Sequence, residues 1–309
     1  MPKPQEIQDR YQKALDDLVA KVEQDRNVLA AILFGSMSYD QVWERSDIDL
    51  WLIMRDGKRK YSDCCLSENG VIIHAQLMPR NEFKRRLEGS QQGGWLDFTF
   101  SRSTLLFTKD ESIEAWYRDI DRIGARDRDV QLLRTTINAL SMYAKAEKWF
   151  HLKKDYHYSF LWITYVVDRL AAVETLLHDE APGREVVYQA LAHNPEFFNA
   201  VYIDLVDRKK TRKNVGDALR RIDAYLEERA FRLFKPIIEF LEEANSMRTI
   251  SEMEDHFAKS KIGGLDFACE WLAEKGIVEK MSAPMLLTEK SRVQVEEAAY
   301  FYDGEGVVW

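Results

Sequence analysis

Apolar and polar positions recur in different rhythms along the chain, and each rhythm predicts a different kind of element. Residues 5–27 place Ile7, Tyr11, Leu15, Leu18 and Val22 at helical spacing among charges, which predicts an amphipathic helix. "VLAAILFGS" is apolar until its end and reads as a buried strand running into a turn. "DIDLWLIM" is a second strand, followed by the turn signal "RDGK", and "GVIIHAQLM" is a third, closed by Pro79. The stretch 81–88 reads as a short helix and "STLLFTKD" as a fourth strand. This order predicts a small α+β domain with a mixed sheet over residues 1–122.

From residue 123 to 245 the period becomes helical throughout. "VQLLRTTINALSMYAKAEKWFHL", "YSFLWITYVVDRLAAVETLLH", "EVVYQALA" and "ALRRIDAYLEERAFRLFKPIIEFLEEA" predict a bundle of four or five helices, punctuated by Pro182-Gly183 and Asn194-Pro195. Residues 246–309 predict a third unit. "TISEMEDHFA" and "GLDFACEWLAEKG" read as two short helices, "IVEKMSAPMLLTEKS" as a two-stranded ribbon and "RVQVEEAAYFY" as a closing helix. Helix, turn, helix and hairpin together are winged-helix-like.

Composition narrows the class. The chain has 309 residues, 46% of them hydrophobic, enough for two or three cores, and a formal net charge of −8 disfavours a general nucleic-acid coat. The polar start "MPKPQEIQDRYQ" is unlike a signal peptide, and no apolar run approaches the roughly 20 residues that span a bilayer. Cys64, Cys65 and Cys269 lack metal-ligand spacing and cannot all pair with one another. A cytoplasmic protein without membrane contact is expected, with ordinary half-buried thiols.

The candidate chemistry sits in "FGSMSYDQVWERSDIDL", residues 34–50. Strand alternation sends Asp47 and Asp49 to one face and Ile48 and Leu50 to the other. Two adjacent carboxylates repel, and a divalent cation between them removes the conflict. Mg²⁺ accepts such hard oxygen ligands while keeping positions for water and phosphate. Gly35 allows close backbone approach to a phosphate, and Ser36 adds a hydroxyl and an N–H at the turn.

Gly35-Ser36, ten intervening residues and Asp47-Ile48-Asp49-Leu50 together resemble the signature of the DNA polymerase beta-type nucleotidyltransferase superfamily. With a helical domain following, the chain is similar to the aminoglycoside (kanamycin) nucleotidyltransferases and the minimal nucleotidyltransferases. The resemblance covers about the first 110 residues. It implies that Gly35, Ser36 and Ser46 contact a nucleoside triphosphate and that Asp47 and Asp49 bind Mg²⁺. It further implies attack of a hydroxyl on the α-phosphorus with release of pyrophosphate. The family usually places a third carboxylate on the next strand. Here that strand is "VIIHAQLM", whose polar face offers His74 and Gln76. His74 is the candidate general base, because an imidazole exchanges protons near neutral pH; the alternative is a neutral histidine filling a half-buried position.

The implied acceptor is a small molecule or a protein side chain. The alternative function is a catalytically weak or inactive nucleotide-binding regulator acting through the winged-helix-like unit on DNA or a protein. A homodimer is expected by analogy alone. DNA is the less favoured partner: residues 246–309 carry seven Lys/Arg against twelve Asp/Glu, and "GLDFACEWLAEKG" presents Asp266, Glu270 and Glu274. Elsewhere, Asp155, Tyr156, His157 and Tyr158 read as a helix start or as acceptor contacts, and Asp168 as a partner of Arg169 or as a base. The basic run "DRKKTRKN" at 207–214 reads as a solvated inter-helix loop, with phosphates of a nucleotide or RNA as the alternative.

Overall fold

The computed structural model describes residues 4–39, 46–57, 63–90, 99, 103–118, 125–260, 262–288, 290 and 292–304. The chain divides into two compact units, 1–124 and 125–309. The fold class is the α+β expected from the sequence, with a small mixed sheet followed by a helical region. No helix among the described residues is long and apolar enough to cross a membrane.

The first unit opens with α1 (Pro4–Glu23) and β1 (Val28–Phe34), then a short 3₁₀ turn (Ser36–Tyr39) and β2 (Ile48–Met54). Strands β3 (Cys64–Glu68) and β4 (Val71–Pro79), helix α2 (Arg80–Ser90), strand β5 (Thr104–Thr108) and helix α3 (Glu111–Arg118) follow. The five described strands lie in the order β3-β4-β2-β1-β5. Only the β2–β4 pair is parallel; β1–β2, β1–β5 and β3–β4 are antiparallel. Helix α1 covers one face, where Tyr11, Ala14, Leu15 and Leu18 pack on Leu33, Ile48, Leu50 and Ile73. On the other face Phe83, Leu87 and Ile113 of α2 and α3 pack on Ile32, Phe34, Trp51, Ile53 and Met78. β1 is buried at every position because both faces are covered, which is why it reads as an unbroken apolar run.

Strand β3 is an addition to the expected elements. Its burial alternates, with Cys64 half-buried and Cys65 exposed, and it forms a hairpin with β4. The hairpin turn is Asn69-Gly70, both at positive φ (49° and 74°). That geometry suits the primed turns of two-residue hairpins, which favour this dipeptide.

The second unit contains α4 (Ala125–Lys148), α5 (Tyr156–Leu177), α6 (Val186–His193), α7 (Pro195–Phe198), α8 (Asp204–Asp207), α9 (Arg212–Glu228), α10 (Ala230–Leu233) and α11 (Lys235–Ala244). Single π-helical turns occupy Trp149–Lys153 and Asn199–Ile203. β6 (Arg248–Thr249), α12 (Ile250–Phe257), α13 (Leu265–Glu274), β7 (Glu279–Leu286) and β8 (Gln294–Phe301) complete it. One core runs through the unit: Leu140, Ile163, Leu170, Leu219 and Ile237 belong to the same cluster as Met253, Leu265, Trp271 and Tyr300.

Two expectations near the C-terminus are corrected. The 277–291 segment contributes one strand, β7, and the expected closing helix is strand β8, paired on one side with β7 and on the other with β6. The Glu-Glu-Ala-Ala run favours helix by propensity, but tertiary contacts override it. Tyr300 is fully buried, and the Glu297 carboxylate accepts the Ser251 N–H at 2.7 Å, satisfying a first-turn donor of α12.

Candidate active site

The site is built from the end of β1, the start of β2 and the middle of β4. Phe34 ends β1, and Gly35 turns the chain at φ 80°, a left-handed conformation that disfavours any residue with a Cβ. The turn is closed by Ser38, whose N–H and hydroxyl both donate to the Gly35 carbonyl, at 3.1 and 2.7 Å. Gly35 also lies against a carboxylate: a methyl group built on it would strike Asp49 Oδ2 and stand 3.2 Å from Asp49 Cγ. Only hydrogen fits there.

Register sets the rest. Phe34 pairs with Asp49 across β1–β2, Asp49 with His74 across the parallel β2–β4 ladder, and His74 with Cys65 across β4–β3. Phe34, Asp49, His74 and Cys65 therefore form one transverse row on the sheet. Asp47 and Asp49 are partly exposed, whereas Ile48 and Leu50 between and beyond them are fully buried. The alternation expected from the sequence is thus realised. His74 Nε2 lies 3.2 Å from Asp47 Oδ2, with both side chains about half exposed. Ser46 stands just ahead of Asp47, and its carbonyl accepts the hydroxyl of the buried Tyr11 at 2.6 Å, tying the approach to β2 down onto α1. Beneath the row, Trp51 stacks on Phe34 at 4.2 Å and donates its indole N–H to Gln76 at 2.9 Å.

Gly35, Ser36, Ser46, Asp47, Asp49 and His74 are thereby brought to one end of the sheet. The sequence reading missed Cys65, which completes the row, and the anchoring hydroxyl that Tyr11 adds to its place in the core. Asn69-Gly70 was the signal for the hairpin that carries Cys65. In the second unit, Asp155 caps α5 by accepting the Tyr158 N–H at 2.9 Å, and Asp168 pairs with Arg169 at 3.2 Å. Both contacts match the structural alternatives for those two aspartates.

The donor set fits a hard divalent cation. Two carboxylates sit partly open to solvent on one face, beside a turn whose glycine has no side chain to block approach. Among the described residues no three His, Cys, Asp or Glu side chains are grouped so as to hold a metal ion.

Residues 16–112 match the family model described as polymerase beta, nucleotidyltransferase. No curated protein matches the sequence. Among solved structures, a nucleotidyltransferase-like protein from Exiguobacterium sibiricum 255-15 superposes with a TM-score of 0.64 at 16% identity, covering 96% of this chain and 99% of that one. At that identity the likeness shows a shared fold, extending beyond the matched domain over nearly the whole chain.

Proposed function

Because residues 16–112 belong to the DNA polymerase beta-type nucleotidyltransferase superfamily, we propose that the protein transfers a nucleoside monophosphate from a nucleoside triphosphate to a hydroxyl of a small molecule or a protein. The observation that carries this reading is the packing of the Gly35 turn against Asp49, with Asp47 and His74 alongside. A phosphate chain can lie on the bare backbone of Gly35-Ser36 only where a carboxylate-bound cation offsets the repulsion between phosphate and acids. Asp47 and Asp49 would hold Mg²⁺, which when bound supplies charge neutralisation to the triphosphate.

His74 is the candidate base on this reading. Nε2 faces Asp47 Oδ2 at 3.2 Å, so a neutral ring protonated on Nε2 would present the Nδ1 lone pair as its proton acceptor. The acceptor oxygen forms a bond to the α-phosphorus while the α–β bridging bond breaks. Its proton passes to Nδ1, and pyrophosphate leaves. Asp47 keeps its second oxygen for the cation while it orients the ring.

The departure of His74 from the usual third acid also favours a second reading, in which the domain binds nucleotide with little turnover and signals through residues 246–309. The order β6, α12, α13, β7, β8 after α11 supports reading that segment as winged-helix-like. The acids of α13 favour a protein over DNA; Glu270 is held by Lys280 and Tyr300, which keep its carboxyl below the usual range despite opposing desolvation.

Calorimetry with ATP and Mg²⁺ tests the site. Replacing both Asp47→Asn and Asp49→Asn is expected to abolish the metal-dependent part of binding. Equal affinity in the variant and the wild type would refute the assignment.

A further inference from the structure

A second polar site belongs to the second unit, along α9. One cavity of about 560 Å³ is lined by Asp204 and Arg208 at the α8 end and by Asn214, Asp217, Arg220 and Arg221 of α9. A second, of about 340 Å³, is lined by Asn194, Phe197, Arg221, Tyr225, Glu228 and Arg229. Arg221 belongs to both, so the two are successive stations of one groove. A π-helical turn, Asn199–Ile203, contributes Ala200 to the wall. Such turns recur at functional sites because they re-aim the helix around them.

The charge of this region runs against that of the protein. Residues 204–221 hold seven Lys/Arg against three Asp/Glu, in a chain whose net charge is −8. Lys210 is committed structurally: it donates to the Val206 and Arg208 carbonyls and sits over the Phe160 ring. Arg208 is held by Asp204 at 3.0 Å, Arg220 by Asp217 and Arg229 by Glu228 at 3.1 Å. Arg221 has no carboxylate partner among the described residues, and Lys209, Arg212 and Lys213, close in sequence to the lining residues, are exposed. The paired acids orient three guanidiniums, while the surplus charge is left for an external anion.

Spacing selects the kind of anion. From Arg221 to Arg229 the helix advances about 12 Å, at about 1.5 Å per residue. A single phosphate or a compact triphosphate needs converging cations, whereas a strand carrying phosphates at regular intervals along its length meets cations strung out along a groove. The far station also carries one partly exposed ring: Phe197 stacks on the buried Tyr225 at 4.4 Å, and the Arg229 guanidinium lies over the Tyr225 ring at 4.2 Å. Partly exposed Phe197 is a platform for a base. We propose that the α9 groove binds single-stranded nucleic acid through its phosphate backbone, with Arg208 and Arg221 as the principal phosphate contacts. This surface is distinct from the acidic 246–309 segment and does not depend on nucleotidyl transfer.

The test is fluorescence anisotropy of the full chain with a labelled oligouridylate of about 12 nucleotides, in EDTA so that the Asp47–Asp49 site carries no cation. Binding is expected at low salt, with log K falling linearly in log salt. Arg208→Ala with Arg221→Ala should weaken it at least tenfold and flatten that slope by about 1.4, at about 0.7 per lost contact. All these residues are surface positions, and Arg184→Ala, an exposed arginine outside the groove, serves as the charge control. Absence of binding at low salt, an equal loss in Arg184→Ala, or an unchanged slope in the double variant would overturn the proposal. Displacement of the strand by inorganic triphosphate at equal concentration would also overturn it, in favour of a small-anion site.

Discussion

Replacing Gly35 by alanine separates two costs that the structure places at one atom. The first is backbone strain: at φ 80° an L-residue with a Cβ is disfavoured by about 1–2 kcal/mol. The second is the collision of the new methyl with Asp49 Oδ2. The carboxylate is the end of a short side chain, so it can rotate away, and a forced off-rotamer position costs about 0.5–1.5 kcal/mol. The sum is about 1.5–3.5 kcal/mol. For a unit of this size it should appear as a fall of about 6–14 °C in the melting transition of the first unit, at about 4 °C per kcal/mol. The rotation also moves a proposed metal ligand, so Mg²⁺-dependent ATP binding should fall with stability. A double-mutant cycle isolates the contact, because Asp49→Ala removes Oδ2 and Cγ while leaving the turn untouched. In that background Gly35→Ala should cost only the backbone part, about 1 kcal/mol less. An equal cost in both backgrounds, or a total below about 0.5 kcal/mol, would refute the reasoning.

Exchange of His74→Gln is expected to remove turnover, read as triphosphate hydrolysis to monophosphate and pyrophosphate, while leaving ATP affinity nearly unchanged; wild-type hydrolysis would exclude the histidine as base. Mg²⁺ should bind weakly alone and much more tightly with ATP present, by calorimetry, and equal affinities would contradict a site completed by phosphate. In the second unit, burial raises the Glu147 carboxyl above its ordinary range, and the nearby Asp223 and Glu274 add to the rise against the opposing Tyr143 hydrogen bond. The folded state therefore loses stability as pH climbs from the unfolded carboxyl pKa through the raised folded one. Glu147→Gln should accordingly have a higher urea midpoint than wild type near pH 8 and no advantage near pH 4. The same difference at both pH values would count against the burial of an ionised group there.

Much of the first unit was legible because its signals are local. Helical spacing in α1, the apolar run of β1 and the alternation through Asp47 and Asp49 each follow from a few neighbouring residues. Strand β3 was hidden because five residues, two of them cysteines, carry too little apolar pattern, although Asn69-Gly70 announces the hairpin. β8 was misread for the opposite reason: its local preference is helical, and only burial of Tyr300 and pairing on both sides make it a strand. The site divided along the same line. Gly35, Ser36, Asp47 and Asp49 stand out by spacing, but the alignment of His74 with Asp49 depends on the register of a parallel pair 25 residues apart, which no local pattern fixes.

That register has a consequence for charge. Where the usual third acid of the resembled superfamily would bring a third negative charge, this chain sets an imidazole on the same row, so that row carries Asp49 beside His74, with Asp47 next to both. Two carboxylates balance one divalent cation. They also leave most of its coordination positions to water and to phosphate oxygens, since Mg²⁺ demands six oxygen ligands in near-octahedral geometry. One Asp47 oxygen is further engaged by His74, which lowers the share of that carboxylate available to the metal. On the proposed reading the cation is therefore held jointly by the acids and the triphosphate, and affinity for either must rise with the other by the same factor, because the coupling is a single free energy. On the same reading the imidazole would have no metal to bind and would leave Nδ1 to accept a proton, and the Asp47 contact that would weaken the cation's hold would also steady the ring for that task.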